Sequence, residues 1–278
     1  MSTQNKFFIK KNIDPKEGNI TGITAVNICD KHLITGDEKG NLIIYEFGQN
    51  DKLNKIKETS FKSKIDKILV IPSNKISYVL VGGEIYFVKL PQMQLIQNLF
   101  KSKDIVNAFL NEEQSNYKNY ILVINKKKKL KLYQIDVAQD KVTTQEKKFP
   151  KDFVLEDFPK CGIWTAKNYF VYALKSEDGK QDTSNWLNLD NEKKKSDEVE
   201  NIVEIYNLGD KVAISNPNYT LFMVDGISFQ YSMLLHETCD FKNFCEFKNH
   251  LFALCNKTLG VYKAGQQQYD PVETLSLD

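Results

Sequence analysis

His236, Glu237, Cys239 and Asp240 crowd together in the stretch "LLHETCD", and on paper they compose a cysteine nucleophile with a base and acids beside it. The same residues read equally well as a polar connection between two apolar strands, and that is the expectation here. The other histidines, His32 and His250, each open an apolar run, "HLITG" and "HLFALC", at a position that related segments fill with Tyr78, Tyr120, Tyr169 and Lys211. A recurring structural position explains them without catalysis. Glu156 with Asp157, and Asp178 with Asp182, lie in polar stretches where carboxylates ordinarily face water. A glycosidase-type site needs two opposed carboxylates that can be far apart in sequence, and nothing nominates such a pair. No G-x-S-x-G elbow, phosphate-binding glycine loop, dinucleotide fingerprint or H-E-x-x-H helix is present. Catalytic, cofactor-binding and metal-ligating residues are therefore expected to be none, with no cofactor, and no motif marks partner-binding residues.

Composition narrows the class further. The five cysteines, Cys29, Cys161, Cys239, Cys245 and Cys255, form no C-x-x-C pair and none stands beside a histidine at metal-ligand spacing. An odd count and an amino terminus without an apolar signal core point to buried thiols in a reducing, cytoplasmic setting. Lysine and arginine number 38 against 36 acids, a net charge of +2, which is a weak footprint for nucleic acid. The aromatic residues fall mainly inside strands and make no stacking platform for single strands. No apolar run reaches the roughly 18–20 residues that cross a bilayer, so membrane association is expected to be peripheral at most.

The elements that hold these residues repeat. "ITAVNICDKHLITGDEKGNLIIYEF" from Ile23 reads as strand, turn, strand, turn, strand, with Gly36 and Gly40 around a polar loop. From Ile65, "IDKILVIPSNKISYVLVGGEIYFVKL" follows the same plan, with Gly82 and Gly83 as the tight turn. From Ile105 the hairpin is "YILVINKKKKLKLYQI". The lysines Lys126 to Lys129 thus occupy a hairpin tip, not a nuclear address. Leu130, Leu132, Tyr133 and Ile135 place apolar residues on both parities after it, as in a strand covered on both faces. Looser units start near Pro159, Val199 and Cys239; the fourth carries a polar insertion around Ser176 to Ser184. Unit starts at 23, 65, 105, 159, 199 and 239 are spaced 42, 40, 54, 40 and 40 residues apart, the outlier carrying extra residues around Asp140 to Glu156. The charge run Asn191 to Asn201, without an apolar face, reads as a solvated loop.

Units of about forty residues, each of three or four short strands, predict an all-β, WD40-like β-propeller with six visible repeats. After the sixth hairpin, "GQQQYDPVETLSLD" would start a further blade without finishing it. Either the ring has six blades, with "KFFIKKNI" (Lys6 to Ile13) as a closing strand, or it has seven, the last incomplete, in an amino-terminal piece of a longer protein. The second is preferred, with residues 1–278 as a single propeller domain.

The order of these segments resembles the citron homology (CNH) domain. The glycine hairpin at Gly36 and Gly40, the entry to the second unit at Ile65 and Ile68, the lysine-rich hairpin Lys126 to Tyr133, and Pro159 and Lys160 ahead of Trp164 match that pattern in order. Beginning almost at Met1, the chain is most similar to the amino-terminal propellers of HOPS and CORVET tethering subunits of the TGF-β-receptor-associated-protein (vacuolar sorting) type. The resemblance runs from about Phe8 to Leu277 and departs in the polar fourth unit. It implies a non-enzymatic docking surface in a complex that captures endosomal or lysosomal (vacuolar) membranes before fusion. Its partners would be a Rab-type small GTPase and other tethering subunits, and Lys126 to Lys129 would add attraction to an anionic membrane or acidic partner. The competing readings are a WD40-like scaffold or adaptor in a cytoskeletal or signalling assembly, and a propeller hydrolase with clustered acids or a metal.

Overall fold

A computed structural model describes residues 22–47, 53–71, 75–96, 103–111, 119–138, 141–147, 153–165, 168–175, 181–191, 193–207, 211–216, 219–224, 231–236, 241–247, 250–255, 258–264 and 269–276. Every regular element among them is a strand. The first sheet is β1 (Ile23–Cys29), β2 (His32–Asp37), β3 (Asn41–Phe47) and β4 (Leu53–Ser60). The second is β5 (Ile65–Ile71), β6 (Ile76–Val81), β7 (Glu84–Lys89) and β8 (Gln94–Ile96), and the third β9 (Ile105–Leu110), β10 (Tyr120–Asn125), β11 (Leu130–Ala138) and β12 (Lys141–Lys147). Then follow β13 (Cys161–Trp164), β14 (Tyr169–Lys175), β15 (Asp182–Asn188) and β16 (Lys194–Val199). The fifth sheet is β17 (Glu204–Asn207), β18 (Lys211–Ser215), β19 (Tyr219–Val224) and β20 (Tyr231–His236). The sixth is β21 (Phe241–Phe247), β22 (His250–Cys255), β23 (Thr258–Ala264) and β24 (Tyr269–Ser276). Each is a four-stranded antiparallel meander in chain order. By contacts the chain divides into two compact units, one holding the first three sheets within Ile9–Leu110 and Asn119–Leu155, the other the last three within Glu156–Asp278.

Within the first unit the sheets stack through their second strands. All six residues of β6 are buried. Because side chains alternate along a strand, Val79 and Val81 pack on Ile34, Leu42 and Ile44 of the first sheet, while Ile76, Tyr78 and Leu80 pack on Ile121 and Val123 of the third. One strand therefore serves two cores, which is why its sequence reads as a continuous apolar run. Leu130, Leu132, Tyr133 and Ile135 of β11 are buried on both parities as expected. In the second unit Val171, Ala173 and Trp186 pack on Val212 and Ile214 in the same way. Fourth strands such as β4 and β12 form a polar edge: residues 54–58 of β4 are exposed, and β12 buries little beyond Val142.

The innermost strands also touch from sheet to sheet. The Asn27 side-chain amide of β1 donates to the Ile68 carbonyl of β5 at 3.1 Å, and Lys67 Nζ of β5 donates to Asn107 Oδ1 of β9 at 3.1 Å while lying 4.3 Å from the Phe109 ring centre. In the second unit the Asn207 amide of β17 donates to the Trp164 carbonyl of β13 at 3.0 Å.

Several expectations are corrected. The charge run 191–201 is not a loop: Lys194–Val199 is strand β16, an outer strand that needs only one partner and leaves Lys194, Lys195 and Glu198 in solvent while Val199 is buried. The tail read as the start of a seventh blade supplies β24, the outer strand of the sixth sheet. Lys6 to Ile13 lies outside the described residues. In the long spacing, Lys141–Lys147 is the ordinary fourth strand, and the true addition is the stretch after it, where Val154 bridges to Lys129. His32, Tyr120, Tyr169, Lys211 and His250 do open second strands, but Tyr78 stands two residues inside β6, whose first residue is Ile76.

Tyr78 is 1% exposed, lies edge-on to Phe87 at 5.0 Å, and its hydroxyl has no hydrogen-bond partner among the described residues. Burial pushes its pKa far up. A hydroxyl buried without a partner has lost its water for nothing. Tyr78→Phe is expected to raise stability by about 1 kcal/mol, read as a higher denaturation midpoint at unchanged m-value; a clear loss of stability would show that the hydroxyl is satisfied.

Candidate interaction surface

The residues singled out for chemistry are not brought together. His32 opens β2 and His250 opens β22, in separate units. The side chains of His236, Glu237, Cys239 and Asp240, and Asp178, lie outside what is described. Among the described residues no three or more His, Cys, Asp or Glu side chains gather as metal ligands, and no helix is long and apolar enough to cross a membrane. Cys29 and Cys161 are buried free thiols. Burial pushes both thiols up, helped by Asp30 at Cys29 and by Glu204 hydrogen-bonded to Cys161. Asp182 does not face water: it is buried at the start of β15, with Lys160 Nζ at 2.6 Å. The sequence hid this partnership because the two are 22 residues apart and meet only when β13, β14 and β15 pair. Glu156 reaches Lys194 Nζ at 2.9 Å across the same sheet.

What the first unit does assemble is an edge of turns. Asp37, which is buried, organises the β2–β3 turn: its Oδ1 accepts from the amides of Lys39 (2.9 Å) and Asn41 (2.8 Å), and its carbonyl from Gly40 N (3.2 Å). Asn125 makes the same set at the β10–β11 turn, its Oδ1 accepting from the amides of Lys127 (3.0 Å) and Lys129 (3.1 Å) and its carbonyl from Lys128 N (2.9 Å). The lysine run is thus a side-chain-capped turn built like "DEKGN". Lys128 holds φ 59° where the first sheet has Gly40 at 87°. Between these two turns lies the tight pair Gly82 and Gly83, with φ 55° and 83°.

The loops that link successive sheets lock onto these tips. Phe61 N donates to the Gly40 carbonyl (2.8 Å), Ile105 N to Gly83 (3.0 Å), and Lys126 N to Asp104 (2.9 Å). Lys126 Nζ also pairs with Asp104 at 3.1 Å. Behind the lysine turn, Leu130 N donates to the Phe153 carbonyl (2.9 Å) and Leu155 N to Lys128 (3.0 Å). Lys39, Lys62, Lys64, Lys103, Lys126 and Lys127 project from this edge and are exposed. The sequence showed the lysine run but not its neighbours, because Lys39, the pair Lys62 and Lys64, and Lys103 stand far apart along the chain and only the stacking of sheets aligns them.

Two consequences can be measured. A Cβ on Gly40 would stand 2.5 Å from the Ser63 carbonyl oxygen and 2.6 Å from that of Phe61. Gly40→Ala is therefore expected to cost about 1–3 kcal/mol, whereas Lys128→Gly, at the matching position of the third sheet, is expected to gain about 0.5–1 kcal/mol by relieving left-handed strain; opposite shifts of melting temperature check the pair. Lys160→Met, which strands the buried Asp182 carboxylate, is expected to cost about 1–3 kcal/mol, and adding Asp182→Asn is expected to recover part of it in a double-mutant cycle.

No known family's profile matches the chain, and no curated protein matches it in sequence. Solved structures do. The β-propeller domain of Cps50 (Swd1) from Myceliophteria thermophila is similar at 12% identity with a TM-score of 0.60, over 92% of this chain and 86% of that one. The RRP9 WD40 repeats are similar at 10% identity with a TM-score of 0.65, over 94% of this chain and 82% of that one. The computationally designed Ika8 protein is similar at 12% identity with a TM-score of 0.63, over 93% of this chain and 88% of that one. With six meander sheets of the propeller type among the described residues, the chain has an all-β, WD40-like β-propeller fold.

Proposed function

We propose that the chain works by binding proteins and not by catalysis, as the propeller of an endosomal or lysosomal (vacuolar) membrane-tethering complex of the HOPS and CORVET kind. It docks a Rab-type small GTPase and neighbouring subunits on the cytoplasmic side of those membranes during fusion and vacuolar sorting. Residues 1–278 act as one CNH-like propeller domain in this reading. Propeller folds serve many unrelated functions, so the fold by itself does not select a partner. What supports this reading is the order of the CNH-like segments along the chain. Gly36 and Gly40 flank the first β2–β3 turn, Ile65 and Ile68 are buried on the entering strand of the second sheet, Lys126 to Lys129 make the third tip, and Pro159 and Lys160 lead into β13, which ends at Trp164. Such a scaffold suits docking because stacked sheets hold the turns still while turn residues vary freely.

Capture from cell lysate on the immobilised chain, with parallel GTP-analogue and GDP loading and identification by mass spectrometry, checks this. The expected outcome is a small GTPase of the Rab type retained with the GTP analogue and released with GDP, together with tethering subunits. Recovery of cytoskeletal or signalling proteins alone would overturn the tethering assignment in favour of a WD40-like adaptor.

A further inference from the structure

We propose that the turn edge of the first three sheets is a binding site for an extended acidic segment of a partner polypeptide. This deepens the docking reading above and rests on it for the class of partner. The carrying observation is that one hydrogen-bonded edge collects basic residues from four separate places in the chain. Lys39 stands on the first tip; Lys62 and Lys64 flank Ser63, whose carbonyl lies under Gly40 and whose side chain lies under Gly82. Lys103 precedes Asp104, which faces Gly83 and holds Lys126, and Lys127 is next along the third tip. Among the described residues Lys39, Lys62, Lys64, Lys103 and Lys127 make no ion pair; the acids at these turns are Asp37, consumed by the turn itself, Glu38, Asp66, Glu84, which accepts from the Tyr86 hydroxyl, and Asp104, already paired with Lys126, so the lysines, with Lys128 and Lys129, outnumber them.

The charge is local. The chain as a whole carries only +2. At the corresponding between-sheet loops of the other unit the sequence places Glu156, Asp157 and Glu200, and Lys160 is neutralised by Asp182. A positive strip confined to three sheets fits a linear anion better than a plane of lipid headgroups. Stacked sheets lie about 10 Å apart, so three tips span about 20 Å, the length of about six residues of extended chain.

The other anionic partners fit less well. A phosphate monoester is held by free backbone amides at a turn, but here Asp37 and Asn125 already consume the amides of Lys39, Asn41, Lys127 and Lys129. Single-stranded nucleic acid wants exposed rings to stack on, and the aromatic residues beside these turns among those described are half-buried, Phe61 against Tyr86 at 5.0 Å and Phe153 behind the lysine tip. A bilayer is gripped by several apolar side chains at loop tips together with charge; the tips here end in lysine, glutamate and glycine, and beside them an exposed large apolar residue among those described, Val154, is bridged to Lys129.

The test uses the full chain and a fluorescein-labelled octaglutamate peptide, read by fluorescence polarisation at 50 and 300 mM salt. Liposomes containing phosphatidylserine and a single-stranded oligonucleotide serve as competitors. Saturable peptide binding is expected, weakening at least tenfold between the two salt concentrations as screening shortens, and weakening at least tenfold in K62E/K64E/K127E. The reversals K57E/K141E, on the exposed outer strands β4 and β12, are expected to leave binding within twofold, and far-UV circular dichroism and melting confirm that both variants are folded. Equal loss in the two variants, preference for liposomes or oligonucleotide, or no peptide binding would overturn the proposal. The same variants used in lysate capture separate the two readings. Partners retained unchanged by K62E/K64E/K127E would overturn the edge site and leave docking standing; peptide binding without any captured protein would overturn docking and leave the edge site standing.

Discussion

Everything in this fold depends on strands that must be apolar on both faces. In β6, alternate side chains belong to two different cores, so the second sheet cannot satisfy itself. Its Val79 face needs the first sheet and its Tyr78 face needs the third. Hydrophobic burial at about 1.5–3 kcal/mol per large side chain is therefore realised only between sheets. The turns lie outside this accounting. Their conformation is held by local caps, such as Asp37 and Asn125, and by single hydrogen bonds from the linking loops, which leaves the lysine and glutamate side chains at the tips with no duty in the core.

That separation decides what was legible in the sequence. The β-sheet repeat was readable because both-face burial writes apolar runs such as "ISYVLV" and "YILVIN", and because the turns between them announce themselves with glycine pairs or polar clusters. Sheet entries at Ile65 and Ile105 coincide with the repeat starts, and Cys161, Glu204 and Phe241 fall within five residues of them. The outer strands were harder. An outer strand pairs on one side only and faces solvent, so it can be as polar as "KKSDEV" and carry no periodicity; for that reason Lys194–Val199 reads in sequence as a loop and Tyr269–Ser276 as part of a further blade.

The candidate surface was half legible for a related cause. Four consecutive lysines are conspicuous, and the flanking strands told that they form a turn. The remaining basic residues become neighbours through stacking, a relation of about forty residues in sequence that no local window contains. The same applies to Lys160 and Asp182, whose meeting depends on strand register. Absence of a recognisable motif in such a protein is thus no measure of how much surface is organised: a site made of single residues from successive repeats leaves no signature along the chain.

The meander order also has a consequence during synthesis. Each sheet is complete when its own stretch of chain has left the ribosome, yet one face stays uncovered until the next sheet follows, for instance from Ile65 to Ile105. At roughly 5–20 residues per second, forty residues correspond to about 2–8 s in which Tyr78, Leu80 and their neighbours are exposed on a folded but unpartnered sheet. The growing chain presents that hazard afresh with every repeat, and a transient apolar surface of this kind is what general chaperones recognise. Polar outer strands such as β4, β12 and β16, of little value to the core, keep the free edge of such a waiting sheet from pairing with another chain.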